Sequence, residues 1–199
     1  MGEIPGVGAY YKCQQHEEEI KAFVEFLKDK QIKSFLEIGS KFGGVLWAIS
    51  QIMPKGSRIV SVDLPHSQWG RNDSKLHLKD CIRRLKDAGY DAHVFIADST
   101  AAETVEKVAV LSPFDAIFID ANHTEPYVRQ DFANYGRMAR IVCFHDISWN
   151  RPKPPDRLSI DVPKVWAELK QSYHDQASFD EIRRDPTQQD NGIGILQWH

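Results

Sequence analysis

The sequence predicts an α/β fold, namely a Rossmann-like, doubly wound, mostly parallel sheet of seven strands with a C-terminal antiparallel hairpin. Three observations predict this fold. Short apolar runs alternate with helical segments along most of the chain, which is typical of parallel strands joined by crossover helices. A glycine turn follows the first apolar run, at Glu37-Ile38-Gly39. The last two apolar runs are joined by a short polar connection, which is typical of a hairpin.

Length and composition indicate one ordinary globular domain. The 199 residues are 42% hydrophobic and carry a formal net charge of −3, so bulk charge favours neither a nucleic-acid nor a membrane partner. We expect one domain over residues 1–199, in which residues 1–30 form an N-terminal segment and a covering helix. The three cysteines lack metal-ligand spacing, and neither a membrane span nor a secretory signal is evident. These features predict a cytoplasmic protein with reduced thiols.

The first helix is indicated by Ile20, Phe23, Val24 and Leu27, which recur with the spacing of one helical face. Later strands are indicated by apolar runs rich in β-branched and aromatic residues, and later helices by helical spacing between turn residues. In chain order, the predicted elements are helix 15–30, strand 35–38, a helix from residue 45, strand 58–62, helix 74–88, strand 92–97, helix 101–111, strand 114–119, helix 125–138, strand 139–144, helix 161–173, and hairpin strands 178–184 and 193–198.

Irregular segments separate these elements. Residues 1–14 either cover a pocket or form a loosely held terminus. The polar loop 66–73 carries Trp69, which either stacks on a base, lines the substrate entrance or is a plain surface aromatic. The loop 148–160 is rich in proline and charge, so it is suited either to form the wall of a substrate site or to cover it as a lid.

The glycine turn favours a nucleoside cofactor without a pyrophosphate. A dinucleotide site has the pattern Gly-x-Gly-x-x-Gly, but Lys41 occupies the position of its second glycine. A phosphate-binding loop ends in Gly-Lys followed by Ser or Thr, and that ending is absent after Gly44. Asp63 ends the second strand 24 positions after Gly39, where a carboxylate accepts hydrogen bonds from both ribose hydroxyls. The alternative is an exposed aspartate that caps a turn.

The pattern Glu37-x-Gly39-x-x-x-Gly43-Gly44 resembles the first motif of class I S-adenosylmethionine-dependent methyltransferases. It is most similar to metal-dependent small-molecule O-methyltransferases, in the branch of cephalosporin-hydroxylase-like and macrocin O-methyltransferase-like proteins. The resemblance covers nearly the whole chain from Phe35 onward, and it implies that Asp98 contacts adenine. The cofactor-binding residues predicted on this basis are Glu37, Gly39, Gly43, Asp63, Asp98, Ser99 and Asp120. For Asp98 and Ser99, capping of the following helix is the alternative.

Polar residues at the strand ends indicate one ligand crevice independently of the resemblance. Ligands of doubly wound sheets bind outside the carboxyl ends of the strands. The predicted strands end in Gly39, Asp63, Asp98, Asp120 and the pair His145-Asp146. Packing does not require polar side chains to recur at one edge of a sheet, so we expect these residues to surround one crevice.

The resemblance further implies a divalent metal and a general base. Acids after the fourth and fifth strands hold Mg²⁺ in the related enzymes, and Asp120 and Asp146 match those positions. His145 is predicted as a third ligand, although imidazole suits Mn²⁺, Fe²⁺ or Zn²⁺ better than Mg²⁺. A hydrogen-bonded structural role is the alternative for His145. His123 matches the general base, and a histidine can take the acceptor's proton near neutral pH.

We therefore predict an S-adenosylmethionine-dependent methyltransferase that methylates a hydroxyl of a small molecule with help from Mg²⁺ or another divalent metal. The predicted partner is the acceptor substrate, without nucleic acid or membrane, and a homo-oligomer stays open. One alternative is a metal-dependent hydroxylase on the same fold, with an iron site drawn from His123, His145 and either Asp120 or Asp146. The other is a non-catalytic protein that binds S-adenosylmethionine.

Overall fold

A computed structural model describes residues 13, 15–64, 74–151 and 158–199. The predictions for the loop 66–73 with Trp69, for residues 1–12 and 14, and for residues 152–157 of the proline-rich loop lie outside the described residues. The elements are α1 Glu17–Asp29, β1 Ser34–Ile38, α2 Gly44–Ser50, β2 Arg58–Asp63, α3 Ser74–Asp87, β3 Asp91–Ile96, α4 Ala102–Ala109, β4 Phe114–Ile119, α5 Glu125–Tyr135, β5 Ala139–His145, α6 Val162–Ser172, β6 Ala177–Ile182 and β7 Ile193–Trp198.

The seven strands form one sheet in the order β3-β2-β1-β4-β5-β7-β6. The first five strands in this order, namely β3, β2, β1, β4 and β5, are parallel to one another. Strand β7 pairs antiparallel with both β5 and β6. The chain winds outward from β1 in both directions, so the carboxyl ends of β1 and β4 lie side by side where the winding reverses. The predicted fold class, including the C-terminal antiparallel hairpin, is confirmed.

Two apolar layers cover the two faces of the sheet. On one face, α1, α2 and α3 pack on the sheet through residues such as Phe23, Leu46 and Leu78. On the other face, α4, α5 and α6 pack through residues such as Val128 and Trp166. Because side chains alternate along a strand, Phe35 joins the first layer and its neighbour Leu36 joins the second. Because helices cover both faces of the sheet, both sets of alternating side chains are buried. The strand sequences are therefore continuous apolar runs.

The observed boundaries differ from the predicted ones by a few residues, chiefly at helix ends. Helix α5 ends at Tyr135, three residues before the predicted end at Met138. Here the backbone N–H of Met138 donates to the carbonyl of Tyr135, and the carbonyl of Met138 accepts from the N–H of Phe114. The chain has therefore left the helix and begun to approach β4 before residue 139.

Among the helices that the structure describes, none combines the length and the apolar character that crossing a membrane requires.

Candidate active site at the carboxyl ends of the strands

The turn after β1 depends on two glycines with left-handed backbone. Gly39 has φ +91°, and a Cβ there would lie 2.2 Å from the backbone oxygen of Asp120. Gly43 has φ +82°, and a Cβ there would lie 2.8 Å from Sγ of Cys81 on α3. Glycine is required at both positions because the chain itself approaches closely, β4 at the first and α3 at the second. Their predicted contacts with a cofactor stay predictions.

Asp63 at the end of β2 holds the glycine turn from the neighbouring strand. Its Oδ2 accepts a hydrogen bond of 2.6 Å from the backbone N–H of Lys41. Lys41 itself has φ +49°, a conformation that this hydrogen bond helps to maintain. Burial raises the pKa of Asp63, against the lowering effect of backbone N–H donors and of the Lys41 charge. Asp63 therefore lies against the glycine turn, and its predicted contact with a ribose stays a prediction.

Glu37 lies beneath this turn on the sheet face covered by α1, α2 and α3, and it is only 1% exposed. Burial raises the pKa of its carboxyl well above the usual range, and the charges of Asp120 and Asp63 act in the same direction. A hydrogen bond with Ser40 opposes these effects. Its Oε2 has no partner among the residues described. The observed contact of Glu37 is thus with the turn, and its predicted contact with a cofactor stays a prediction.

The turn after β3 gives its two predicted residues different surroundings. Asp98 is exposed, and its Oδ1 accepts hydrogen bonds from the N–H and the hydroxyl of Thr100 at 2.8 and 2.7 Å. The hydroxyl of Ser99 instead donates to Asp131 on α5. Ala101 occupies the N-cap position of α4, and no side chain caps that helix. The structure therefore does not support the alternative in which Asp98 or Ser99 caps the helix.

Asp120, His123 and Asp146 form a compact group between the ends of β4 and β5. One potential ligand atom from each lies within 4.8 Å of the others. Nδ1 of His123 is 2.8 Å from Oδ2 of Asp146, and its Nε2 is 3.7 Å from Oδ1 of Asp120. Asp146 has φ +63°, an unusual conformation for a residue other than glycine. Burial favours a raised pKa for Asp146, but hydrogen bonds from His123 and His145 hold that pKa well below its usual range.

His145 is not a member of this group, but its ring lies next to two of the members, Asp120 and Asp146. Its Nδ1 is 3.2 Å from Oδ1 of Asp120 and 3.5 Å from Oδ1 of Asp146. Burial lowers the pKa of His145, but the two carboxylates outweigh burial and raise it well above its usual range. The ring packs edge-on against Phe118, and Nε2 has no partner within the described part of the chain. The geometry thus places His123 in the compact group, whereas the predicted metal ligand His145 bridges two carboxylates.

Two further residues of the site had no signal in the sequence. The Gln15 side-chain amide donates to Oδ2 of Asp120 at 2.5 Å, from the segment that precedes α1. Asp161 accepts from the N–H of Glu125 at the start of α5, while its own N–H donates to the carbonyl of His123. Both contacts join residues far apart in the sequence, so no local pattern reveals them.

The predicted residues at the ends of β2, β4 and β5 interact in succession, Asp63 with Asp120 and Asp120 with His145. That they surround one ligand crevice stays a prediction. The charge of Asp120 raises the pKa of Asp63, and both charges raise the pKa of Glu37, so the three carboxylates are close enough to interact. Asp120 also contacts His123 and His145 at the next strand end. Acidic side chains collected in this way are unfavourable for stability alone, and such groups are typical of functional sites. Asp98 lies at the far edge strand, β3, and takes no part in this cluster.

The sheet order and this strand-end site define a class I methyltransferase fold. The sequence profile of a family described as "methyltransferase domain" matches residues 36–147, which include the glycine turn, Asp63, Asp120 and Asp146. The chain belongs to this family. The resemblance to class I methyltransferases is thereby confirmed. No curated protein sequence matches the chain significantly.

Solved structures with the same fold include two O-methyltransferases. The enzyme from Bacillus cereus in complex with SAH has a TM-score of 0.65 at 15% identity, over 97% of this chain and 85% of that chain. TomG from Streptomyces achromogenes, which is involved in tomaymycin synthesis and was solved with SAM, has a TM-score of 0.60 at 15% identity, over 90% of this chain and 79% of that chain. At this identity the similarity concerns the fold.

Proposed function

We propose that this protein transfers a methyl group from S-adenosylmethionine to a hydroxyl of a small molecule, with a divalent metal assisting. The observation that carries the proposal is the compact group Asp120, His123 and Asp146 at the sheet edge that also holds the glycine turn. The two O-methyltransferases above, described with SAM and SAH, support this choice of cofactor. The acceptor is the expected partner, and neither nucleic acid nor a membrane is needed.

S-adenosylmethionine, when bound, supplies an electrophilic methyl group on a sulfonium. His123 is suited to take the acceptor's proton, because Nδ1 donates to Asp146 and the lone pair then resides on Nε2. His123 would hold, at Nε2, the proton that the acceptor hydroxyl loses while its oxygen gains the methyl group that the cofactor would supply. Nothing is oxidised. Holding both reactants in line contributes several kcal/mol by proximity alone, on the order of 5 or more.

The donor set of the compact group fits a divalent metal. Two carboxylates and one imidazole suit Mn²⁺, Fe²⁺ or Zn²⁺, and the two carboxylates with water suit Mg²⁺. Asp120 and Asp146 would hold the ion, which would lower the pKa of an acceptor hydroxyl and orient its oxygen. In the first case His123 is a ligand, and in the second it stays the proton acceptor. His145, between the two carboxylates, would orient both oxygens.

Calorimetry tests the cofactor assignment. We expect S-adenosylmethionine to bind and NAD not to bind, with and without Mg²⁺. Asp63→Ala should weaken binding of S-adenosylmethionine about 10- to 100-fold, because one carboxylate is expected to accept from both ribose hydroxyls and also holds the Lys41 N–H.

Asp91→Ala is the matched control for this experiment. Asp91 begins β3 at the opposite end of the same parallel strands and pairs with Arg58, so its loss should leave the affinity unchanged. Tight NAD binding, or an equal effect of the two substitutions, would contradict the proposal.

The geometry favours the methyltransferase over the hydroxylase, and activity measurements separate it from a non-catalytic binding protein. An iron triad with two histidines would need His145 in the compact group, but that group contains one histidine and two carboxylates among the described residues. Retained iron with oxygen uptake would support the hydroxylase. Cofactor binding without turnover, unchanged in His123→Ala, would support a non-catalytic protein.

A further inference from the structure

Two residues of helix α5 form hydrogen bonds with Ser99, one with its hydroxyl and the other with its carbonyl. The hydroxyl of Ser99 donates to Oδ1 of Asp131 at 2.7 Å. The carbonyl of Ser99 accepts from the hydroxyl of Tyr135 at 2.6 Å. Asp131 is 1% exposed and Tyr135 is fully buried, so both hydrogen bonds are buried on the side of the helix. Ser99 is therefore turned toward α5 by two independent contacts.

The turn that follows β3 is also stabilised by hydrogen bonds between its own residues. Oδ1 of Asp98 accepts from the N–H and the hydroxyl of Thr100, which closes the turn from Asp98 to Thr100. The side chain of Asp98 is exposed, whereas the hydroxyl and carbonyl of Ser99 are directed to the helix. Ser99 thus fixes the conformation of the turn, and the exposed side chain of Asp98 is available to contact a ligand.

Packing alone does not explain the choice of aspartate at position 131. Burial raises the pKa of its carboxyl to about 7, and its Oδ2 has no partner in the described parts of the chain. Leaving a carboxylate oxygen buried and unpaired is unfavourable, and an apolar residue of similar size would avoid that cost. What an apolar residue could not do is accept the hydrogen bond that Ser99 donates.

We propose that Asp131 and Tyr135 are positioning residues that hold the Asp98 turn so that it recognises the 6-amino group of the cofactor's adenine. The inference rests on the proposed function, because it assumes an adenosine cofactor. A carboxylate accepts from a 6-amino group and repels a 6-oxo group, so the turn discriminates between adenine and hypoxanthine only if Asp98 is held in place. Fixing a binding side chain in advance lowers the entropy lost on binding.

Helix α5 also links this turn to the acceptor side of the site. The helix begins at Glu125, directly after the His123 loop, and ends at Tyr135. One rigid element therefore sets the separation between the proposed proton acceptor and the turn that positions adenine. In-line transfer depends on that separation, since the methyl group lies between the nucleoside and the acceptor.

Calorimetry with two product analogues tests the inference. S-adenosylhomocysteine carries the 6-amino group, and S-inosylhomocysteine carries a 6-oxo group in its place. We expect the protein to prefer the first by about tenfold or more, the size of one lost charged hydrogen bond. Asp131→Leu and Tyr135→Phe should each reduce this preference about five- to tenfold, chiefly by weakening binding of S-adenosylhomocysteine. Asp131→Asn keeps an acceptor for Ser99 and should retain the preference.

A ratio of affinities separates positioning from a general loss of structure. Partial unfolding lowers both affinities equally and leaves the ratio unchanged. Asp115→Leu is the matched control, because Asp115 also accepts from a serine hydroxyl, that of Ser34, but at the amino ends of β1 and β4. It should destabilise the fold and keep the ratio.

The outcomes that overturn the inference differ from those that overturn the proposed function. If the unsubstituted protein binds neither analogue, the proposed function is wrong. If it binds both equally, or if it prefers the adenine analogue while Asp131→Leu and Tyr135→Phe keep that preference, the inference is wrong. Additivity of Ser99→Ala and Asp131→Leu would also contradict it, because two residues that act through one hydrogen bond must show coupled effects.

Discussion

At the scale of single residues, the site consists of polar groups whose surroundings are set by partners on other elements. Asp146 keeps a left-handed backbone conformation while its two carboxylate oxygens face His123 and His145. Asp63 is held to the glycine turn by the Lys41 N–H. Local strain of this kind persists only where neighbouring contacts over-determine the conformation, which is typical of functional sites.

Asp131 makes stability depend on pH. Burial raises the pKa of its carboxyl from 3.8 to about 7 in the folded protein. The folded state therefore binds a proton more tightly than the unfolded chain does, and the stabilisation from protonation is complete below about pH 4 and is lost as the pH rises through about 7. Asp131→Asn removes this titration. Relative to the unsubstituted protein, the variant should gain about 2 kcal/mol in free energy of unfolding between pH 5 and pH 8.

Urea denaturation of both proteins at the two pH values measures this difference. Comparing the proteins at each pH cancels the titration of other groups. A free-energy difference that stays constant with pH would show that Asp131 does not titrate in this range.

At the scale of elements, the glycine turn connects β1 to α2. Comparing Gly39 in this turn with Gly56, which has a similar φ, shows why the turn needs a glycine. Gly39 has φ +91° and Gly56 has φ +82°. A Cβ at Gly39 would meet the backbone of Asp120 at 2.2 Å, whereas a Cβ at Gly56 would meet nothing within 4 Å. Substitution of Gly56 therefore measures the free-energy cost of a left-handed backbone alone, whereas substitution of Gly39 adds the cost of a steric clash with β4.

We expect Gly39→Ala to destabilise the fold by about 3 kcal/mol or more, because the ends of β1 and β4 must move apart. Gly56→Ala should cost about 1 kcal/mol, the conformational term alone. Chemical denaturation gives both values, and calorimetry with S-adenosylmethionine should show weaker binding only in Gly39→Ala. Equal destabilisation by the two substitutions would mean that the close approach to β4 relaxes without cost.

At the scale of the whole molecule, a buried polar network joins the N-terminal helix to the C-terminal hairpin. The side chain of Glu19 on α1 is fully buried and accepts from the side chains of Arg184 and Gln188 and from the N–H of Gly192. Arg184 also pairs with Asp190. Because these residues lie at opposite ends of the described chain, the network closes the sheet's antiparallel edge against α1.

Glu19→Ala should lower the free energy of unfolding by about 2 to 4 kcal/mol, since the buried Gly192 N–H loses its acceptor and the Gln188 amide keeps the Asp190 carbonyl but loses the carboxylate. Glu17→Ala is the matched control on the same helix. Glu17 pairs with Lys21 in the solvent-exposed first turns, so its loss should change stability little. Denaturant unfolding compares the two, and a similar effect of both would show that the network adds nothing beyond a surface ion pair.

The sequence by itself determined the sheet and the edge at which the site lies. Apolar runs, the Gly39 turn and acids at strand ends are local patterns, and right-handed crossovers then place the ends of parallel strands at one edge. Asp63, Asp120 and Asp146 were predictable for this reason. The family resemblance added roles for His123 and His145 that local patterns did not carry.

Only the tertiary structure decided which of these residues meet and in what state. His123 joins the compact group while His145 lies behind it, Ser99 turns to Asp131, and Gln15 reaches Asp120. The contact of Ser99 joins residues 32 positions apart and that of Gln15 joins residues 105 positions apart. The different places of His123 and His145 depend on the directions of their side chains. Hydrogen bonds and pKa values depend on distances of a few ångströms and on burial, and packing of distant elements fixes both, so no local pattern of residues encodes them.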